Sequence, residues 1–328
     1  MQLRTRTVSL ALAEEFGIAR GSRTTQAVVQ VELEHDGLTG RGEAAPVYYR
    51  GESAETATAF LAEAAPRLGD DPFALERTLG GLHGDAAGRA ALDATLHDWV
   101  GRRLGVPVWR LLGLSRDSPP TSYTIGFDTL PGTRERARGA RRFRALKVKV
   151  GGAEDLARLE VVRSETGAPL RVDANEGWTL EQARELVPSL VELVEQPFPA
   201  DDLDSFRALR ELSPRPPVVV DEGCQDLGDV ARCAEYADAI NVKLAKCGGL
   251  REALRMVHAA RALGLRTMLG CMIESELGIA PAAHIASLFD WVDLDGHLLL
   301  ADRPFAGLEL LDGRVLPGGG PGLGVEPA

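Results

Sequence analysis

The sequence predicts an α/β fold, a closed barrel of eight parallel strands preceded in the chain by a smaller α+β domain. Three observations carry that expectation. From about residue 120, short β-branched runs alternate with amphipathic helical stretches, the pattern of parallel strands joined by right-handed crossovers. The runs number eight, as in a barrel of the TIM type. A charged residue stands near the end of six of them. These are Lys149, Asp173, Glu195, Asp221, Lys243 and Asp293, in steps of 24, 22, 26, 22 and 50 residues, the last being two units. The near-constant period sets these residues at one height on successive strands, on the C-terminal face where such barrels keep their active sites.

Residues 1–45 alternate in strand fashion. The apolar run at the start breaks at Glu14, so it reads as a first strand and not a signal peptide. Residues 27–33 are the clearest strand, and His35-Asp36-Gly37 is its turn. Residues 16–23, with two Gly and two Arg, read as a loop between strands. Ser53 is placed to cap a helix over 54–68; residues 85–104 form a second, ended by Gly105 and Pro107. The barrel strands fall at 121–126, 145–150, 170–174, 190–195, 218–222, 239–244, 266–270 and 291–295. Helices fill the gaps at 154–166, 179–193, 203–212, 227–236, 249–263 and 276–287. The tail from Asp302 is rich in Gly and Pro, and its alternating pieces, 308–311 and 314–316, are expected to return to the N-terminal unit. The domains are therefore 1–116, 117–301 and 302–328.

With 37 basic and 48 acidic residues among 328, the net charge of −11 argues against nucleic acid or an anionic membrane as the main partner. No stretch approaches the roughly 18 apolar residues of a membrane span. The four cysteines form no CxxC pair and suit a reducing cytoplasm.

Asp173, Glu195 and Asp221 stand on three consecutive strands, where converging carboxylates would repel one another without a counterion. An all-oxygen set favours a hard divalent cation, Mg²⁺ first and Mn²⁺ as a substitute, with Asn175 and Glu222 behind the ligands. In Lys147-Val148-Lys149, alternation sends both lysines to one face. Near the dication, repulsion and burial are expected to lower their pKa values and make a general base. Lys243 lies on the sixth strand, four places from the second in a barrel of eight. Lys149 and Lys243 would then face opposite sides of a substrate on the axis, and proton removal on one side with return on the other inverts a stereocentre. Lys246 is expected to point away as a loop lysine.

These strings, KVKV, DANEGW, VEQP, VVDEG and NVKLAKCGG, resemble the enolase superfamily in its muconate-lactonizing-enzyme-like subgroup. The resemblance implies a modified (β/α)7β barrel under an α+β capping domain, Lys149 and Lys243 as the two bases, Lys147 beside them, and Mg²⁺ on the three carboxylates. Two further features resemble the dipeptide epimerases. Asp293-Leu294-Asp295, a pair on one strand face, implies a site for the ammonium of a dipeptide. The stretch 18–23 resembles the loop of the L-Ala-D/L-Glu epimerases and implies that Arg23 binds the glutamate carboxylate. Thr124 and the stretch 271–275 match positions that line the substrate. The implied activity is interconversion of L-Ala-D-Glu and L-Ala-L-Glu through an enediolate, in murein-peptide recycling, with homo-oligomers frequent in the family. Alternatives are a dipeptide epimerase of other side-chain preference, an o-succinylbenzoate synthase or N-acylamino acid racemase, and a non-catalytic binding barrel. Asp221-Glu222-Gly223 departs from the DES or DEA frequent in the family but keeps the ligand.

Overall fold

The computed structural model describes residues 1–18, 21–186 and 191–328. The chain opens as an antiparallel sheet of β1 (Gln2–Ile18), β2 (Gly21–His35) and β3 (Leu38–Ala44), in that order. Asp36 and Gly37, with φ of 47° and 72°, make the two-residue turn whose twist suits a hairpin. The stretch 16–23 is thus the tip of a long β1–β2 hairpin, with Ala19 and Arg20 outside the described residues.

α1 (Ala54–Ala64) starts in a reciprocal capping box between Ser53 and Thr56. After α2 (Leu75–Gly80), α3 (Ala86–Leu104) is capped by Asp85 and ended by left-handed Gly105. Its buried face lies against the sheet around Val29, Val31 and Leu33. It comes so close to β3 that a Cβ on Gly40 or Gly42 would overlap the carbonyls of Thr95 and Ala91. The short α4 (Val108–Leu111) leads into the barrel.

The barrel strands are β4 (Ser122–Ile125), β5 (Ala145–Lys149), β6 (Leu170–Asp173), β7 (Leu193–Glu195), β8 (Val218–Val220), β9 (Ala239–Lys243), β10 (Arg266–Gly270) and β11 (Trp291–Val292). They pair in sequence order, all parallel, and a bridge from Thr121 to Val292 brings the last strand to the first. Between them run α5 (Leu130–Gly139), α6 (Asp155–Glu165), α7 (Leu180–Leu186), α8 (Leu203–Arg210), α9 (Leu227–Cys233), α10 (Leu244–Cys247), α11 (Leu250–Ala262) and α12 (Glu276–Ile285). Expected helix 179–193 and strand 190–195 shrink to α7 and β7, and residues 187–190 lie outside the described residues. α5 is missing from the sequence reading because it buries little beyond Thr133 and Ala137 and shows no apolar stripe.

Period-two alternation builds the barrel wall. Val148, Val172, Val194, Val220, Ile240 and Val242 face outward into one core shared with the helices. The inward row starts with an apolar plug of Leu193, Val219, Ala239, Met268 and Trp291. Two residues further along those strands come Glu195, Asp221, Asn241 and Asp293, so the polar site stands directly above the plug.

After β12 (Phe305–Ala306), the alternating pieces of the tail are β13 (Glu309–Leu311) and β14 (Arg314–Leu316), which pair with each other; β15 (Glu326–Pro327) pairs with β12. The tail meets the N-terminal domain through side chains and backbone: Asp98 accepts from Leu323 N at 2.7 Å, and Glu326 pairs with Arg41 and Arg102. No described helix is long and apolar enough to cross a membrane, and the four cysteines are free.

Candidate active site

The strand ends open into a cavity roofed by the N-terminal domain. Lys147, Lys149, Asp221, Lys243, Asp293 and Asp295 line it from below; Arg23, Gln26 and Tyr48 line it from above. Parallel register puts Lys149 opposite Asp173 and Asp173 opposite Glu195. Asp173 and Glu195 are fully buried beneath the cavity. The chain turns sharply just after both, with Asn175 (φ 43°) and Gln196 (φ 36°) in the left-handed region, a kind of strain that collects at functional sites.

Every carboxylate of the trio leans on a lysine. Asp173 Oδ2 lies 2.9 Å from Lys147 Nζ and accepts from Lys149 Nζ at 2.6 Å. Lys149 also donates to Asn175 Oδ1 at 3.0 Å. Glu195 Oε2 is 2.8 Å from Lys147 Nζ yet receives no hydrogen bond; its Oε1 accepts from Asn241 Nδ2 at 2.7 Å. Asp221 is shared by Lys243 on Oδ2, at 2.6 Å, and Lys246 on Oδ1. With the side chains so engaged, no group of three His, Cys, Asp or Glu among the described residues is set to close on one ion.

The protein's own charges set a balance against which the lowering expected beside a dication would have to act. Burial does push Lys147 and Lys243 down, but nearby carboxylates overcome it. Asp173, Asp293 and Glu195 hold the Lys147 ammonium well above its ordinary range, and Asp221 and Glu195 do the same for Lys243. In return, against the opposing effect of burial, Lys147 and Lys149 hold Asp173 low, and Lys243 and Lys246 hold Asp221 low. At two carboxyls burial and a like charge outweigh the lysines. Burial and the charge of Asp173 push Glu195 up to about 7; burial and the charge of Asp293 push Asp295 up to about 7.

The donor chemistry fits a hard divalent cation. All candidate ligands are oxygens, and the buried Glu195 Oε2 is met by the Lys147 ammonium at 2.8 Å but accepts no well-formed hydrogen bond. Six carboxyl groups (Asp173, Glu195, Asp221, Glu222, Asp293, Asp295) and four lysine amines (Lys147, Lys149, Lys243, Lys246) are buried together, so acidic groups outnumber basic ones there.

The expected substrate residues gather at the same cavity. Thr124 lines it, and its backbone N–H donates to Asp295 Oδ2 at 2.6 Å. β11 ends at Val292, so Asp293 and Asp295 stand just past the strand, not on it. They are not equivalent. Asp293 is occupied by Ser122 Oγ and Lys147 Nζ, both at 2.8 Å, and burial notwithstanding Lys147 holds it low. Asp295 keeps its carboxyl toward the cavity and does not cap the helical turn that follows it. Arg23 is half-buried at the cavity wall, and among the described residues no carboxylate pairs with it. Cys271, Met272 and Ile273 also line the cavity.

Lys246 departs from the expectation of a loop lysine pointing away. It begins no exposed loop: α10 turns it inward, 1% exposed, to donate to Asp221 O (2.6 Å), Cys224 O (2.8 Å) and Asn241 O (3.1 Å) besides Asp221 Oδ1. Asn241 and Gln196 also escape the sequence reading. Asn241 shares a strand face with Lys243, a parity signal that could have found it. Gln196 accepts from the backbone of Asp221 and Gly223 and shapes that turn.

Comparison with known proteins agrees with this geometry. Residues 1–113 match the model of the mandelate racemase / muconate lactonizing enzyme N-terminal domain, and residues 132–328 match the enolase C-terminal domain-like model. The chain is 41% identical to an L-Ala-D/L-Glu epimerase of Bacteroides thetaiotaomicron, over 96% of this chain and 85% of that one. It is 38% identical to a hydrophobic dipeptide epimerase of Roseobacter litoralis, over 99% and 98%. A dipeptide epimerase of Enterococcus faecalis V583, solved with Mg and L-Leu-L-Tyr, superposes with a TM-score of 0.92 at 30% identity, over 99% of both chains. The chain is an isomerase of the enolase superfamily and belongs to its dipeptide epimerases.

Proposed function

We propose that the protein interconverts L-Ala-D-Glu and L-Ala-L-Glu at the glutamate α-carbon, with Mg²⁺ held by Asp173, Glu195 and Asp221. The carrying observation is the position of β5 and β9, four places apart in the eight-stranded barrel, which sets Lys149 and Lys243 on opposite walls of one cavity. One lysine removes the α-proton and the other, as an ammonium, delivers a proton to the opposite face; exchanging their roles runs the reaction backward. Held by those three carboxylates, the cation would supply positive charge for the substrate carboxylate. Lys147 adds a fixed ammonium beside the same place. Asp295 receives the dipeptide ammonium, since Asp293 is already engaged by Lys147 and Ser122. Thr124 holds Asp295 in place.

Arg23 supports glutamate as the second residue, because a planar guanidinium without a carboxylate partner suits a side-chain carboxylate. A second reading, an apolar second residue, is favoured by Phe16, Ile18 and Ile273 on the same cavity wall. The glutamate dipeptide would set the reaction in the cytoplasmic recycling of murein peptides, as the family resemblance implies.

Initial rates with Mg²⁺ on L-Ala-L-Glu, L-Ala-L-Leu, L-Ala-L-Lys and an N-succinyl amino acid test this reading. The glutamate dipeptide is expected to lead. Arg23→Ala should lower its kcat/KM by about tenfold or more, as loss of a charge-assisted bidentate contact does. Asp295→Asn should depress turnover of every dipeptide. An unchanged kcat/KM in Arg23→Ala would remove glutamate as the preferred residue.

A further inference from the structure

Arg23 does not reach the cavity as a free arm. It stands at the tip of the β1–β2 hairpin, and two neighbours define where its guanidinium lies. Its Nη1 donates to Gln26 Oε1 at 2.6 Å. Its Cζ lies 4.5 Å above the centre of the Tyr48 ring, within the range of a cation–π contact. Gln26 is buried, and all three side chains line the cavity.

Tyr48 is itself held from the barrel side. It opens a single helical turn, Tyr48–Arg50, closed by left-handed Gly51, whose N–H donates to Tyr48 O at 2.9 Å. Within that turn Arg50 Nη1 donates to Lys246 O at 2.7 Å and to Gln225 Oε1 at 3.3 Å. Val47, just before it, donates to Glu52 Oε2 at 3.1 Å. The Tyr48 ring is therefore a platform referenced to the catalytic face, and Arg23 rests on it.

The contact has a direction. A ring holds a guanidinium by its face and leaves the N–H groups on its edge free. Gln26 uses one hydrogen of the five. The remaining edge hydrogens lie in the plane that a bidentate carboxylate needs. An arginine side chain otherwise loses considerable rotamer freedom on binding, and a prepaid orientation removes part of that cost.

We propose that Tyr48 is a positioning residue that sets the preference for an acidic second residue, by holding the Arg23 guanidinium edge-on to the substrate side chain. The proposal rests on Arg23 being the anchor of that side chain. It assigns the discrimination to Tyr48, a residue 39% exposed that lines the cavity and acts through the arginine.

The readout is the ratio of kcat/KM for L-Ala-L-Glu to that for L-Ala-L-Gln, a neutral near-isostere, followed as epimerisation with Mg²⁺. Tyr48→Phe keeps the ring face and is expected to keep the ratio. Tyr48→Leu removes the face and is expected to lower the ratio about three- to tenfold, mostly through KM for the glutamate dipeptide. Arg23→Ala is expected to collapse the ratio, and Tyr48→Leu added to it to change the ratio no further. The partly exposed ring makes Tyr48→Leu a mild change to packing, and Tyr48→Ser supplies a second loss of the face. If both keep the wild-type ratio while Arg23→Ala collapses it, the platform is overturned and the glutamate anchor stands. If Arg23→Ala itself keeps the ratio, the anchor fails, and the platform with it. A ratio lost equally in Tyr48→Phe and Tyr48→Leu would assign the effect to the hydroxyl and overturn the proposal.

Discussion

At the scale of single residues the site is a buried set of charges whose partners decide what each can do. Lys246 shows how much one position carries. Its ammonium ties the end of β8, the turn after it and β9 together through Asp221, Cys224 and Asn241. Lys246→Met would leave one Asp221 oxygen and three carbonyls short of a donor. The expected loss is about 3–5 kcal/mol of unfolding free energy, the range for breaking a buried pair from one side. Denaturant titration of the folded chain measures it, and a variant as stable as the parent would show that Asp221 is held adequately by Lys243 alone. The sequence could not assign this role. A lysine three residues past a strand reads as a loop lysine unless the short helix that turns it back is known. The balance between the lysines and their carboxylate neighbours was likewise hidden, because it depends on how close those carboxylates come, which spacing along the chain does not give.

At the scale of elements, strand ends were the legible part. Spacing near 24 residues identified the inward charged row, and parallel register places Lys149, Asp173 and Glu195 side by side as that spacing requires. What escaped were elements without an apolar period, α5 and the turn carrying Tyr48, and strand lengths in the N-terminal sheet, where an exposed hairpin continues well past its buried part. Close packing of elements is testable at Gly42. A Cβ there would strike the Ala91 carbonyl and the Thr95 side chain, so Gly42→Ala should push α3 off β3. Overpacking of this kind costs about 1–3 kcal/mol. A fall in Tm with unchanged kcat is expected, since Gly42 does not line the cavity; an unchanged Tm would contradict the contact.

At the scale of the whole molecule, the tail and the N-terminal domain close over the barrel, and buried histidine links them. His284 on α12 accepts from Trp109 N at 3.1 Å through Nδ1, which leaves Nε2 to donate to Leu323 O at 3.1 Å. Burial, opposed by its bond to Leu323 and slightly helped by the nearby His97, lowers its pKa from 6.5 to about 4. The neutral ring is the folded form, so its contribution is complete above pH 6.5 and is lost as the pH falls toward 4. The loss is on the order of 3 kcal/mol from this group. Urea unfolding between pH 7 and 4 should show a shallower decline in His284→Gln than in the parent; identical slopes would contradict it. The central claim concerns the two opposed lysines, and α-proton exchange in D₂O tests it most directly. With Mg²⁺ and either L-Ala-L-Glu or L-Ala-D-Glu, the wild-type protein should place one deuterium at the glutamate α-carbon and produce the other epimer, seen by proton NMR. Lys149→Ala and Lys243→Ala should each slow interconversion by about a hundredfold or more. Each should keep exchange in one epimer only, and the two variants should keep opposite epimers. Exchange of both epimers by either variant, or no label from any dipeptide with the wild type, would contradict the two-base reading.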